Sequence, residues 1–155
     1  MKRFQTTLLL ALLPAAVAAT APVLTVQRVV AVTVGGKSAE RLEPAQGTRP
    51  GDLLQVGGTV TLGGAERGAR FTVPIPDNTT FVAGSVRVGS GVRVTYALNK
   101  GGPFSPQPLK TVTVQEEGRT VTKQVPAPQN EYRAVRYDLT GIKGSVTVSH
   151  RLRVN

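Results

Sequence analysis

Punctuation most constrains what this chain can fold into. Beyond Val23, its runs of Val, Thr, Ile and Phe are short, and Gly or Pro interrupts each one; the 155 residues include 17 glycines and 11 prolines. No segment sustains the 3.6-residue apolar period of an amphipathic helix. Short β-branched runs closed by turn residues read as strands. Val23 to Val34 is the first, ended by Gly35-Gly36. A turn at Arg49-Pro50-Gly51-Asp52 opens a second, in which Leu54, Val56, Val60 and Leu62 share one parity and mark a half-buried strand. Phe71, Val73 and Ile75 alternate next, but Pro74 and Pro76 confine that stretch to an edge or a strand exit.

Phe81 to Val88 and Val92 to Leu98 are split by Gly89-Ser90-Gly91, and Asn99 to Pro108 is a loop broken at Gly101-Gly102-Pro103. Thr111 to Val114 and Thr120 to Val125 form a hairpin around Glu117-Gly118. Tyr132 to Leu139 and Ser145 to Val154 are the last two strands. Lys37 to Gly51 is polar and weakly patterned, which predicts an ordered loop. The expectation is an all-β, antiparallel sandwich of about seven to nine strands, because nothing supports βαβ units.

The first 18 residues predict an address. Lys2 and Arg3 precede the apolar run Leu8 to Leu13, and Ala16-Val17-Ala18 offers small residues for cleavage. That is the layout of an export signal, and the run is shorter than the about 20 residues a membrane helix needs. Residues 1–18 are thus expected to be a cleavable leader, and 19–155 a single domain at the periplasm, the cell surface or beyond. The chain has no cysteine. Disulfides, thiolate metal sites and a lipidated cysteine are excluded, so the fold must rest on its core. The formal charge is +10, with basic residues scattered singly rather than in a block. Such a surface suits an anionic envelope or solubility better than a dedicated nucleic-acid tail.

Four landmarks follow one another in order: Pro50-Gly51-Asp52-Leu53-Leu54; the break Gly63-Gly64; Val73-Pro74-Ile75-Pro76-Asp77-Asn78-Thr79-Thr80-Phe81-Val82-Ala83-Gly84-Ser85; and Val135-Arg136-Tyr137-Asp138-Leu139 with Gly144-Ser145-Val146-Thr147-Val148. Over about residues 23 to 155 this order resembles the DUF11 family of bacterial surface-repeat domains. The resemblance implies an immunoglobulin-like β-sandwich and a structural role in secreted and cell-surface proteins. Three positions depart from the family's pattern. Val56 stands where an aromatic is usual, Leu62-Gly63-Gly64 lacks the usual Asn, and Val73 replaces an Asp before Pro74.

Groups for catalysis are sparse. The single histidine, His150, shares parity with Val146, Val148, Leu152 and Val154, which predicts a ring packed at the core margin. No second His and no Cys could join it in a metal site or a triad. Ser85 and Ser90 read as turn residues, and Glu116-Glu117 as solvated residues at a hairpin tip. Val88-Gly89-Ser90-Gly91-Val92 is a turn rather than a phosphate loop, since no helix pattern follows it. No cofactor, metal or enzymatic activity is expected. Thr147, Ser149, Arg151 and Arg153 share the outward parity of the last strand, and Arg133 and Arg136 belong to the strand before it. If those strands pair, Arg133, Arg136, Arg151 and Arg153 form one face able to bind carboxylate or phosphate bidentately; Arg87 and Arg93 are left open as additions. Two functions remain: an interaction module working on other envelope proteins, or a binder of anionic polymer, an acidic glycan before DNA.

Overall fold

The computed structural model describes residues 23–63 and 68–155. The leader expected at residues 1–18 lies outside the described residues, as do 19–22 and 64–67. Eleven strands are present: β1 (Val23–Val34), β2 (Lys37–Pro44), β3 (Leu53–Leu62), β4 (Arg70–Pro74), β5 (Thr79–Phe81), β6 (Arg87–Val88), β7 (Arg93–Ala97), β8 (Leu109–Glu116), β9 (Arg119–Pro126), β10 (Ala134–Asp138) and β11 (Gly144–Val154). The described residues contain no α-helix, only a 3-10 turn at Gln129–Glu131. All pairings are antiparallel.

The large sheet runs β2-β1-β3-β11-β5, with β6 also on β11; a second sheet runs β4-β10-β7; among the described residues β8 and β9 pair only with each other. The first two pack as the layers of a sandwich. Leu54, Val56, Val60 and Leu62 of β3 sit opposite Leu152, His150, Val146 and Gly144 of β11, and supply one wall of the core. Val73, Val135 and Tyr137 supply the other. Each fully buried Leu or Val there contributes about 1.5–3 kcal/mol by leaving water. The alternation seen in β3 and β11 is the pleat at work, with even-numbered residues inward and Thr59, Thr61, Ser145 and Thr147 outward. Those outward hydroxyls pair across the strands, Thr59 with Thr147 at 3.0 Å and Thr61 with Ser145 at 2.9 Å.

The centre of the large sheet is unusually close-packed. A Cβ at Gly57 would lie 2.7 Å from the Val148 carbonyl oxygen, and one at Gly58 would lie 2.6 Å from that of Val23. Only glycine lets β1 and β11 approach β3 this closely.

Sequence expectations are corrected in number and place: eleven strands are described rather than about seven to nine, and Phe81 to Val88 is not one strand but the end of β5 and all of β6 with a turn between them. Lys37 to Pro44 is a strand, not a loop: Gly35 and Gly36, both with positive φ, reverse the chain so that β2 pairs with β1 over eight positions. Tertiary pairing overrides its polar composition. The last two strands do not pair with each other. β10 lies between β4 and β7, while β11 lies in the other sheet, so the connection through Gly141–Gly144 crosses the sandwich.

Candidate interaction surface

The buried polar site is structural in its geometry. His150 is 1% exposed, and its Nδ1 lies 2.7 Å from the Tyr137 hydroxyl, joining the two sheets through the core. Phe81 and Tyr137 pack near its ring, with centroids 5.9 and 6.2 Å away. Burial pushes the His150 pKa down to about 4 and raises that of the Tyr137 hydroxyl. Its Nε2 has no hydrogen-bond partner among the described residues. No group of three His, Asp or Glu that could hold a metal exists among the described residues. Ser85 is a tie between loop and strand: its Oγ donates to the Val82 carbonyl at 2.6 Å and accepts the Arg151 N–H at 2.9 Å.

The four arginines expected on one face are divided between the two sheets. Arg151 and Arg153 are on the outer face of the large sheet. Arg151 is already engaged, its fork meeting both carboxylate oxygens of Glu40 on β2, which holds that carboxyl below its usual range. Arg153 reaches the Gly51 carbonyl at 3.2 Å. Arg133 precedes β10, its backbone N–H bonded to Ala97. Arg136 stands on the outer face of the small sheet, whereas Arg151 and Arg153 line a shallow pocket with Arg87 on the large one. The parity argument assigned inside and outside correctly along β11. It failed on which strands are neighbours, a long-range property that residue order does not carry.

A different basic cluster results. Asp138 of β10 lies directly between Arg93 of β7 and Arg70 of β4; one step along, Arg136 lies between Thr95 and Thr72. These residues line an open groove of about 700 Å³ on the outer face of the small sheet. The Arg136 guanidinium is held flat, its carbon 3.5 Å from the Phe104 ring centroid and its Nε donating to Thr72 Oγ1 at 3.2 Å. Its terminal nitrogens are left for other acceptors. Asp138 is kept below the ordinary carboxylate range by Thr140 first, then by Arg93 and Arg70. Arg70 and Phe104 escaped the sequence reading. The one available signal was the alternation Arg70-Phe71-Thr72, matched by Arg93-Val94-Thr95, which puts Arg and Thr on one side of each strand.

The most exposed construction is the β8–β9 ribbon. Glu116 pairs with Arg119 across a two-residue turn, Glu117 (φ 50°) and Gly118 (φ 77°), the positive-φ geometry that matches strand twist. Its register is unbroken from Leu109–Pro126 to Glu116–Arg119. One side carries Val112, Val114 and Val121; the other carries Thr111, Thr113, Thr120 and Thr122. Among the described residues neither strand joins another, so the hairpin projects rather than pairing at a sheet edge. Among the described residues only its base is tied down, by the Ala127 N–H to the Pro108 carbonyl at 2.9 Å and an ion pair between Lys110 and Glu131.

No family model, no curated protein and no solved structure matches this chain. No helix among the described residues is long and apolar enough to cross a membrane.

Proposed function

We propose that this chain is a non-enzymatic interaction module exported to the bacterial envelope, an immunoglobulin-like sandwich of the DUF11 type that docks other envelope proteins by main-chain pairing. The observation that carries this reading is the β8–β9 ribbon, whose outer edges are unpaired among the described residues. An unpaired strand offers a row of N–H and C=O groups as a template for another strand. The leader-like first 18 residues and the order of turn motifs support the address and the family type. Crosslinking in intact cells tests it. The full chain is expected to give an adduct with an envelope protein, and a variant with Thr111–Gln124 replaced by a short Gly-Asn turn should lose it. An undiminished adduct in that variant would defeat the reading.

A second reading, an anionic-polymer binder, is favoured by Arg136 stacked on Phe104 beside Arg93 and Arg70. It shifts the binding face from Arg133, Arg151 and Arg153 to the small sheet. Because Arg136 occupies a face of Phe104, an acidic glycan read through carboxylates suits the groove better than bases that need stacking. Polygalacturonate binding should weaken steeply with salt and fall in Arg93→Gln and Arg136→Gln chains, with Arg119→Gln as the control. Equal binding by all of them would remove this reading.

A further inference from the structure

We propose that the partner strand for β8 is β8 of a second copy of this chain, paired antiparallel about a two-fold axis through Thr113. This rests on the reading of the ribbon as the docking element and names what it docks.

Three observations converge. The first is instability. A two-stranded ribbon alone in water is marginal, and three or more strands are needed for independent stability; β8 and β9 have no third strand among the described residues. The second is which edge is open. β9 ends at Pro126, which has no N–H to offer, and carries Arg119 and Lys123. β2 carries Lys37, Glu40, Arg41 and Glu43, with both glutamates held in ion pairs. The free edge of β7 is capped by a bridge from Ser105 to Tyr96. β8 has no proline from Leu109 to Glu116, and Leu109 is 52% exposed.

The third is self-complementarity. The closing pair Glu116–Arg119 is hydrogen-bonded across the turn, so the backbone groups of Leu109, Thr111, Thr113 and Gln115 point away from β9. A two-fold axis perpendicular to the sheet pairs residues of like parity. Centred on Thr113, it places Val112 against Val114 of the second copy, Thr111 against Gln115, and Lys110 against Glu116. Valine meets valine, threonine meets glutamine, and Lys110 and Glu116, which within one chain pair with Glu131 and Lys123, meet as opposite charges; Leu109 falls opposite Glu117 beyond the strand end. The register one step away, centred on Val112, would set Lys110 against Val114 and forfeit that match. Because the strands run in opposite directions, the two sandwich bodies lie at opposite ends of the four-stranded ribbon. Eight residues at about 3.4 Å each keep them clear of one another.

The absence of native cysteine makes the test direct. A Thr113→Cys chain, oxidised without a crosslinker, should form a disulfide-linked dimer, because hydrogen-bonded antiparallel partners have Cα atoms about 5.5 Å apart. A Thr122→Cys chain, altered on the far edge, should stay monomeric. In sedimentation of the otherwise unaltered chain, V114K should weaken the dimer about tenfold by setting lysine against Val112, and adding V112E should restore it. Disulfide dimers from both cysteine chains, or from neither, overturn the proposal, as does a doubly substituted chain that stays as weak as V114K. Should the cysteine test fail while removal of the ribbon still abolishes the in-cell adduct, the homotypic partner is wrong and the docking role stands. If ribbon removal leaves the adduct intact, the docking role itself is wrong.

Discussion

Two hairpins leave this sandwich, and their sequences invite the opposite of what each does. β1–β2 and β8–β9 both turn through two positive-φ residues, Gly35-Gly36 and Glu117-Gly118. The second strand of the first hairpin, Lys37–Pro44, is highly charged and weakly patterned, yet it is fused to the body. β1 pairs with β3 from Val23 to Val29, and Arg151 of β11 clasps Glu40 of β2. The Val- and Thr-rich β8–β9 has the better strand composition and stands apart, anchored among the described residues at its base alone. Strand propensity therefore does not decide which hairpin joins a sheet. A complementary neighbour does: β3 offers Gly57 and Gly58, where another backbone can come close, and nothing comparable faces β8.

If that account is right, closing the glycine seam should undo the fusion of the first hairpin and leave the second untouched. Gly58→Val places side-chain atoms where the Val23 carbonyl oxygen already stands, and that oxygen is fixed in the ladder. A loss of about 4 kcal/mol is expected, at the upper end for single substitutions. Urea unfolding would measure it, and amide exchange should show protection lost along β1 and β2 but kept in the ribbon. Unchanged stability would mean that β1 is not seated on β3 as described.

Acid should separate body from ribbon by a different route. His150 is held neutral in the core with its pKa pushed down to about 4, while the unfolded chain takes up its proton near the ordinary histidine value. A depressed histidine favours the folded state fully above about pH 6.5 and progressively less as pH falls to about 4. The loss over that window is about 3 kcal/mol. Replacing both partners, Tyr137→Phe with His150→Phe, should flatten the profile, because neither buried polar group is then left alone. No ribbon residue is a buried titratable group, so its local exchange should not follow this curve.

How much of this was legible depended on the range of the interaction. The inward parity of Leu54, Val56, Val60 and Leu62, and of Val146 through Val154, is local to each strand and was readable. The same holds for the turn at Glu117-Gly118 and the burial of His150. What stayed hidden was neighbourhood. Tyr132–Leu139 and Ser145–Val154 are successive, and succession suggested pairing, but the glycines between them lead from one sheet to the other. That one topological fact moved Arg151 and Arg153 away from Arg136 and brought Arg70 and Arg93 to it. β2 was hidden for the same reason, since its structure comes from β1 rather than from its own pattern.

The smallest expected effect belongs to the ribbon tip, and it tests most finely whether the second hairpin is an independent unit. Glu117 sits at φ 50°, where a side chain with a Cβ is strained and Asn is tolerated best among non-glycine residues. Glu117→Asn should therefore stabilise the turn by about 0.5–1 kcal/mol. In a ribbon that opens on its own, this gain should appear as slower exchange at Val114 and Val121 and nowhere in the global unfolding midpoint. If the midpoint rises by the full amount instead, ribbon and body unfold together. The two hairpins would then differ in their contacts but not in their coupling to the core.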